Sequence, residues 1–295
     1  MKNVKKLLLK ICVSVILFSI LLWNSDTKNL LVTIKLLDLR FIPLILLLLI
    51  LNYVVSSIRW KSLLSIYENT SQVSTGYLTN LYFVGSFFNN FMPTSIGGDV
   101  FKIYKLGARI NNTSHAFAST FMERFTGIVA LLLISCISLI NMLGVKGILL
   151  FVGFWVAVIA GFVALKALST RFSKPAKIYA ALLQYKGKNK VLLIAFLTSF
   201  IVQFLAIFTQ YFIFLALGVR LPLFYSLFVF PVITLASFFI PSLNGVGVQD
   251  ALYVQLFQVV YIIPELALSA SILYHLFRLG VSLIGGVLYA AGKAD

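Results

Sequence analysis

Acidic residues are scarce in this chain. Of its 295 residues only eight are Asp or Glu, against 24 Lys and Arg. Charge of either sign makes up 11% of the sequence, 61% is hydrophobic, and the mean hydropathy is +1.03. A soluble domain carries about 25% charged residues, so the composition excludes an ordinary water-facing surface. Cysteine is almost missing as well. Cys12 and Cys136 stand far apart in apolar runs, without CxxC spacing, which excludes a disulfide framework and leaves both as small hydrophobes. Two histidines are too few for a conventional metal centre. No G-x-x-x-x-G-K-[ST] motif occurs, so no P-loop ATPase is encoded. No cofactor and no metal are expected.

What the chain has instead is long apolar runs. Leu7–Trp23, Phe41–Ile58, Ala116–Asn141, Gly147–Leu165, Val191–Leu217 and Leu266–Ala290 are each near the length a helix needs to cross a bilayer, roughly 20 residues at 1.5 Å per residue. The runs are continuous rather than alternating, which excludes a membrane barrel. The expected fold is an all-α polytopic membrane protein, one integral membrane domain over 1–295. Its first helix is the N-terminal run, which has the basic and apolar regions of a signal peptide but no small-residue cleavage motif after Trp23.

The formal charge of +16 does not point to nucleic acid, because the cations cluster in short loops between runs. With the broken stretches near 77–107 and 223–262 taken as hairpins that enter and leave on one side, 17 cations fall on the N-terminal side and five opposite, with Arg124 and Arg278 inside spans. The positive-inside rule then places both termini in the cytoplasm, in a cell membrane. By the same reading Arg59 and Trp60 form an interfacial anchor, and the charged stretch 28–39 lies along the outer interface.

The two broken stretches resemble each other. SFFNNFMPTSIGGDVFKIY is echoed by ASFFIPSLNGVGVQDALYV. Each has an aromatic approach, a proline, a glycine pair and an acid opening a new helix: Pro93, Gly97, Gly98 and Asp99 against Pro241, Gly245, Gly247 and Asp250. They sit in corresponding positions of two halves, roughly 41–145 and 190–292, that are inverted relative to one another. Such paired breaks point to a transporter's binding site. Non-helical backbone at membrane depth is tolerated only within protein or beside a water-filled cavity. A helix starting near Gly98 or Gly247 offers free N–H groups to an anion. Asp99 and Asp250 stand where a capping acid would occupy those same groups, so ligand binding and capping are both open for them. Asp99 and Lys102 share a helical face and can pair. Ser95, Asn89, Asn90 and Asn244 flank the breaks, as ligand contacts or as partners for freed backbone.

Ionisable groups inside spans must face the interior. Glu123 and Arg124 are adjacent and so about 100° apart on their helix, which keeps them from pairing with each other; at least one of them is expected to reach a ligand or a hairpin, the alternative being a structural interhelical pair. His275 and Arg278 share a face of the last span. Arg278 is the candidate for holding a phosphate, and His275 reads as an interior histidine. The glycines of LGVSLIGGVLYAAG suggest close intramolecular packing.

FFNNFMPTSIGGDVFKIYKL, MERFTGIVALLL and IPSLNGVGVQD, in that order, resemble the flippase-like membrane domain of lysylphosphatidylglycerol synthases, which also occurs alone. Asn89, Pro93, Gly97, Gly98, Asp99, Glu123, Arg124, Pro241, Gly245, Gly247 and Asp250 match the family pattern. Asp250 stands where Glu is common and Lys102 where Arg is common. The resemblance implies movement of a lipid between leaflets, with aminoacyl-phosphatidylglycerol or a polyprenyl-phosphate sugar as substrate. It also implies a membrane lipid, and a lipid-modifying enzyme or glycosyltransferase, as partners. No counterpart of the synthase domain is seen, so no lysyltransferase activity is expected. The competing expectation is an intramembrane enzyme, or an enzyme's partner subunit, acting on a lipid-linked phosphate or sugar.

Overall fold

The computed structural model describes residue 35 and residues 37–68, 70–90, 97–240, 242 and 244–293. The run Leu7–Trp23, most of the stretch 28–39, and Pro93, Ser95 and Pro241 lie outside these residues. The described residues form helices and no strands. In chain order the helices are α1 (Ile42–Leu64), α2 (Thr75–Asn89), α3 (Gly97–Arg109), α4 (Thr113–Leu143), α5 (Val145–Ser169), α6 (Ser173–Leu183), α7 (Asn189–Ala216), α8 (Leu223–Phe239), α9 (Val248–Phe257) and α10 (Pro264–Ala290). Five of the described helices, α1, α4, α5, α7 and α10, are long and apolar enough to cross a membrane, and they coincide with the last five apolar runs of the sequence. The protein is an all-α, multi-pass membrane protein.

Local signals fix the helix starts. Asn112 accepts from the His115 backbone N–H at 3.0 Å ahead of α4, and Ser74 accepts from Tyr77 N at 3.1 Å ahead of α2; each side chain satisfies a donor that the first helical turn leaves open. Proline sits in the first turn of α1 and of α10, where its missing N–H leaves no bond unmade.

The packing follows a repeated scheme. Among the described elements, α1 lies chiefly against α7, α2 against α10 and α8 against α4, while α3 rests on α4 and α9 rests on α10. Substituting each of α1 to α4 by its counterpart in α7 to α10 therefore exchanges one set of contacts for the other. Glycine permits the closest approaches. A Cβ on Gly285 of α10 would sit 2.0 Å from the Phe83 carbonyl oxygen of α2, and one on Gly286 2.9 Å from the Phe87 ring, so these two glycines of the last span serve packing within the chain. Around α7, α8 and α9, Phe214, Phe230, Tyr253 and Phe257 form a buried aromatic core, and around α1 to α3 Trp60, Leu78, Leu81 and Leu106 form a second, largely aliphatic one.

Outside this bundle α5 packs on α4 and α6. Its Leu149, Val152, Val156, Ile159 and Val163 stay exposed. In water such a surface would drive aggregation; hydrocarbon solvates it at no cost.

Candidate functional site

Between α2–α3 and the α8–α9 break lies a cavity of about 310 Å³, walled by α1, α4, α7, α8 and α10 as well. Of the residues marked in the sequence, Asn89, Gly98, Asp99, Lys102, Glu123, Arg124, Asn244, Gly245 and Arg278 line it. Gly97 precedes Gly98 at the buried start of α3. Gly247 and Asp250 start α9 behind the wall. The two breaks thus meet at one place despite their separation in sequence.

Five charges knit α1, α3 and α4 together. The Arg59 guanidinium donates to Glu123 Oε1 at 2.6 Å and to the Ser199 hydroxyl at 3.0 Å. Lys102 Nζ lies 3.0 Å from Asp99 and 3.5 Å from Glu123. Arg124 Nε donates to Asp99 Oδ2 at 2.7 Å, and the Tyr82 hydroxyl donates to Glu123. Lys102 also lies over the faces of Tyr82 and Trp60, at 4.0 and 5.0 Å, a contact an ammonium favours because the ring face is negative. Burying four of these ions, Arg59, Asp99, Lys102 and Glu123, is tolerable only because each is paired, since an unpaired one costs several kcal/mol.

Glu123 and Arg124 diverge as their adjacency requires. Glu123 faces Arg59 and Lys102, whereas Arg124 reaches the first break through Asp99. The side chain of Arg124 is 40% exposed while that of Asp99 is 6% exposed. Among the described residues only its Nε has a hydrogen-bond partner, so its terminal nitrogens are uncommitted in a residue that lines the cavity.

The two aspartates behave differently. Asp250 Oδ2 accepts from the Gly247 backbone N–H at 2.7 Å, its other oxygen accepts from the Ser271 hydroxyl at 2.6 Å, and His275 Nε2 is 3.3 Å away. It caps α9. Among the described residues Asp99 accepts no backbone N–H: Asn89 Oδ1 takes the Gly98 N–H at 2.6 Å, and the carboxylate is held by Lys102 and Arg124. Neither helix therefore offers the bare N–H pair at Gly98 and Gly247 that the sequence suggests.

A polar chain joins the breaks directly. The Asn90 amide donates to Ser282 at 2.6 Å and accepts from Asn244 at 2.9 Å, and Asn244 accepts from Arg278 at 2.8 Å. Asn244 has φ 48° and Gly245 φ 93°, left-handed geometry that Asn and Gly tolerate and branched residues do not.

The structure corrects the reading of Arg59 and Trp60 as an interfacial anchor. Both are buried, at 5% and 0% exposure. Trp60 donates to Ser119 at 3.1 Å and Arg59 holds Glu123. The helix face that carries them turns inward because Glu123 needs a cation. A signal existed in Ser56 and Ser57, which put small polar residues rather than lipid-facing ones beside Arg59. Tyr82, Gln203 and Gln249, also in the wall, carry no mark in the sequence. No cluster of three or more His, Cys, Asp or Glu side chains forms among the described residues.

A polytopic helical membrane protein with a cationic cavity between two broken helices is the class this geometry defines. Residues 7–286 match the family model for the lysylphosphatidylglycerol synthase TM region, and the chain belongs to that family. It is also similar to the UPF0104 membrane protein PH1989 of Pyrococcus horikoshii, 25% identical, with 96% of each chain covered. No solved structure matches it.

Proposed function

We infer that the protein moves a lipid with an anionic headgroup between the leaflets of a cell membrane. The observation that carries this reading is the charge of the cavity wall. Among its described residues are four cations, Arg59, Lys102, Arg124 and Arg278, and two carboxylates, Asp99 and Glu123, which leaves a net charge of +2. An excess of cations in a cavity wall is stabilised by an anion, and the free edge of an arginine suits a phosphate, which it can grip with two parallel hydrogen bonds. Broken helices at this place favour the same reading, since they are how transporters expose polar groups at mid-membrane.

The exchanged packing of α1–α4 and α7–α10 supports two inverted halves, with α2–α3 and α8–α9 as re-entrant hairpins. Rocking of one half against the other would open the cavity to each leaflet in turn. Arg59 and Lys102, buried in ion pairs, drop out of the count of cytoplasmic cations. Fifteen remain on that side against five, and both termini stay cytoplasmic.

Leaflet exchange in proteoliposomes tests the function. Purified protein should accelerate exchange of an anionic phospholipid over protein-free vesicles, and Arg124→Ala should slow it at least tenfold. Equal rates with and without protein would remove the transport reading and favour an enzyme or a partner subunit in lipid modification.

A further inference from the structure

We propose that Asp250 and His275 form an occluded binding site for a proton, and that this proton crosses the membrane together with the lipid, in the same direction. The inference rests on the transport reading and supplies its energy source. No P-loop occurs in the chain, so an ion gradient is the means by which this chain would move lipid uphill.

The pair stands where the repeat puts it. Asp99 and Asp250 are each the third residue of α3 and α9, counted from Gly97 and Val248, and Arg124 and His275 are each the twelfth of α4 and α10, counted from Thr113 and Pro264. The Arg124–Asp99 contact of the first half thus returns in the second as His275–Asp250, with Nε2 3.3 Å from Oδ1. Around it the other charges are replaced. Lys102, sixth in α3, is matched by Tyr253, and Glu123, eleventh in α4, by Tyr274. The first half holds its acids with guanidinium and ammonium groups, which are charged at any pH a cell meets. The second holds its acid with an imidazole, whose charge changes near neutrality. Asp99 and Glu123 are poor proton carriers for the same reason, since a proton on either strands a buried cation.

His275 Nε2 is buried and makes no hydrogen bond among the described residues, near as Asp250 is. A buried ring nitrogen without a partner is unfavourable. A proton on it supplies an N–H that can turn to the carboxylate and make an ion pair. Asp250 is 0% exposed, so a bound proton is sealed in until α9 and α10 part, which is what carriage requires beyond simple titration. Few charges surround the ring. α9 brings Asp250 and Tyr253, α10 itself Tyr274 and Arg278, and α1 brings Tyr53, within electrostatic range of Arg278. Glu265 lies in the first turn of α10, about 15 Å along the helix from His275. Tyr77 and Tyr82 of α2 are engaged with Arg109 and Glu123, and Tyr211 of α7 packs edge-on against Phe212. Tyrosine is neutral near pH 7. Asp250 at −1 and Arg278 at +1 therefore sum to zero with a neutral His275, and protonation leaves +1.

Two contacts carry that change to the cavity. Arg278, which lines it, shares the face of His275 and donates to Asn244 at the second break. Asp250 accepts from the Gly247 N–H at 2.7 Å, so a proton that draws the carboxylate toward the ring also moves the start of α9. Added positive charge strengthens the binding of an anionic headgroup, and by linkage the headgroup strengthens the binding of the proton. Two ligands that favour each other travel together.

The test places the full chain in vesicles with tail-labelled phosphatidylglycerol as the probe, the membrane potential clamped to zero and a pH difference imposed, read by quenching of the outer leaflet. The probe should accumulate in the leaflet on the alkaline side, and at equal pH it should distribute as in protein-free vesicles. Exchange without accumulation overturns the inference and leaves transport standing; accumulation on the acidic side overturns carriage in one direction. Binding in detergent is the second arm. Affinity for short-chain phosphatidylglycerol should fall by at least about fivefold, the lower end of ordinary coupling, as pH rises through the imidazole range, and His275→Gln should flatten that profile. Where His275→Gln fails to fold, His275→Arg keeps a cation on Asp250 and should give the same flat profile. His115→Gln removes the other histidine, which stacks on Tyr67, and should leave profile and accumulation as in the unmodified protein. A slope that survives the loss of His275, or no slope in the unmodified protein, overturns the proton site. If no vesicle shows exchange, the transport reading falls and this binding comparison alone decides the site.

Discussion

At the scale of single residues, the ion cluster makes stability and function separable. Glu123 is enclosed, and its loss strands two buried cations. Glu123→Gln should lower stability by about 3–5 kcal/mol, the usual consequence of breaking a buried pair from one side. The double change Arg59→Met, Glu123→Leu should recover part of that, because it removes charge from both sides; thermal unfolding in detergent reads both. Arg124 lies at the edge of the same cluster with 40% of its side chain exposed. Arg124→Ala should leave Tm within a few degrees while slowing exchange. Sequence made Glu123, Arg124 and Asp99 visible because an ionisable group in an apolar run has to be explained. It hid Arg59, because a cation at the end of a run has a simpler account at the interface. It also could not divide labour between the aspartates: whether an acid caps its own helix depends on whether another acceptor arrives first, and Asn89 reaches the Gly98 N–H across the break.

At the scale of helices, glycine decides how near two backbones come. A Cβ on Gly98 would sit 2.2 Å from the Gly85 carbonyl oxygen of α2. Gly98→Ala should therefore force α2 and α3 apart and destabilise by about 1–3 kcal/mol, the range for overpacking a well-filled interior. Gly285→Ala should do the same between α10 and α2. Gly280, on the same helix as Gly285, has open space where its Cβ would go, and Gly280→Ala should leave Tm unchanged or raise it, since alanine is the better helix former. Equal Tm changes for Gly280→Ala and Gly285→Ala would mean that the α2–α10 contact is looser than the geometry states. The spans were legible from run length alone, and the breaks from proline and glycine in an apolar setting. Which glycines touch what was not, because run length carries no information about the partner helix.

At the scale of the whole molecule, the two breaks are tied through one amide pair, Asn90 and Asn244, at 2.9 Å. If the halves rock, this contact must open and close, since each asparagine belongs to a different half. In a background of Cys12→Ser and Cys136→Ser, the pair Asn90→Cys, Asn244→Cys joined by a short thiol-reactive linker should stop lipid exchange, and reduction of the linker should restore it. Single thiols fix the orientation in the same vesicles. Lys188→Cys should react only with reagent on the cytoplasmic side and Arg220→Cys only from outside. Exchange that continues at the original rate with the breaks linked would require a fixed groove, along which a headgroup slides past Arg124 and Arg278 while the chains stay in the bilayer. The cationic wall would then act as a lowered barrier rather than as an alternately exposed site.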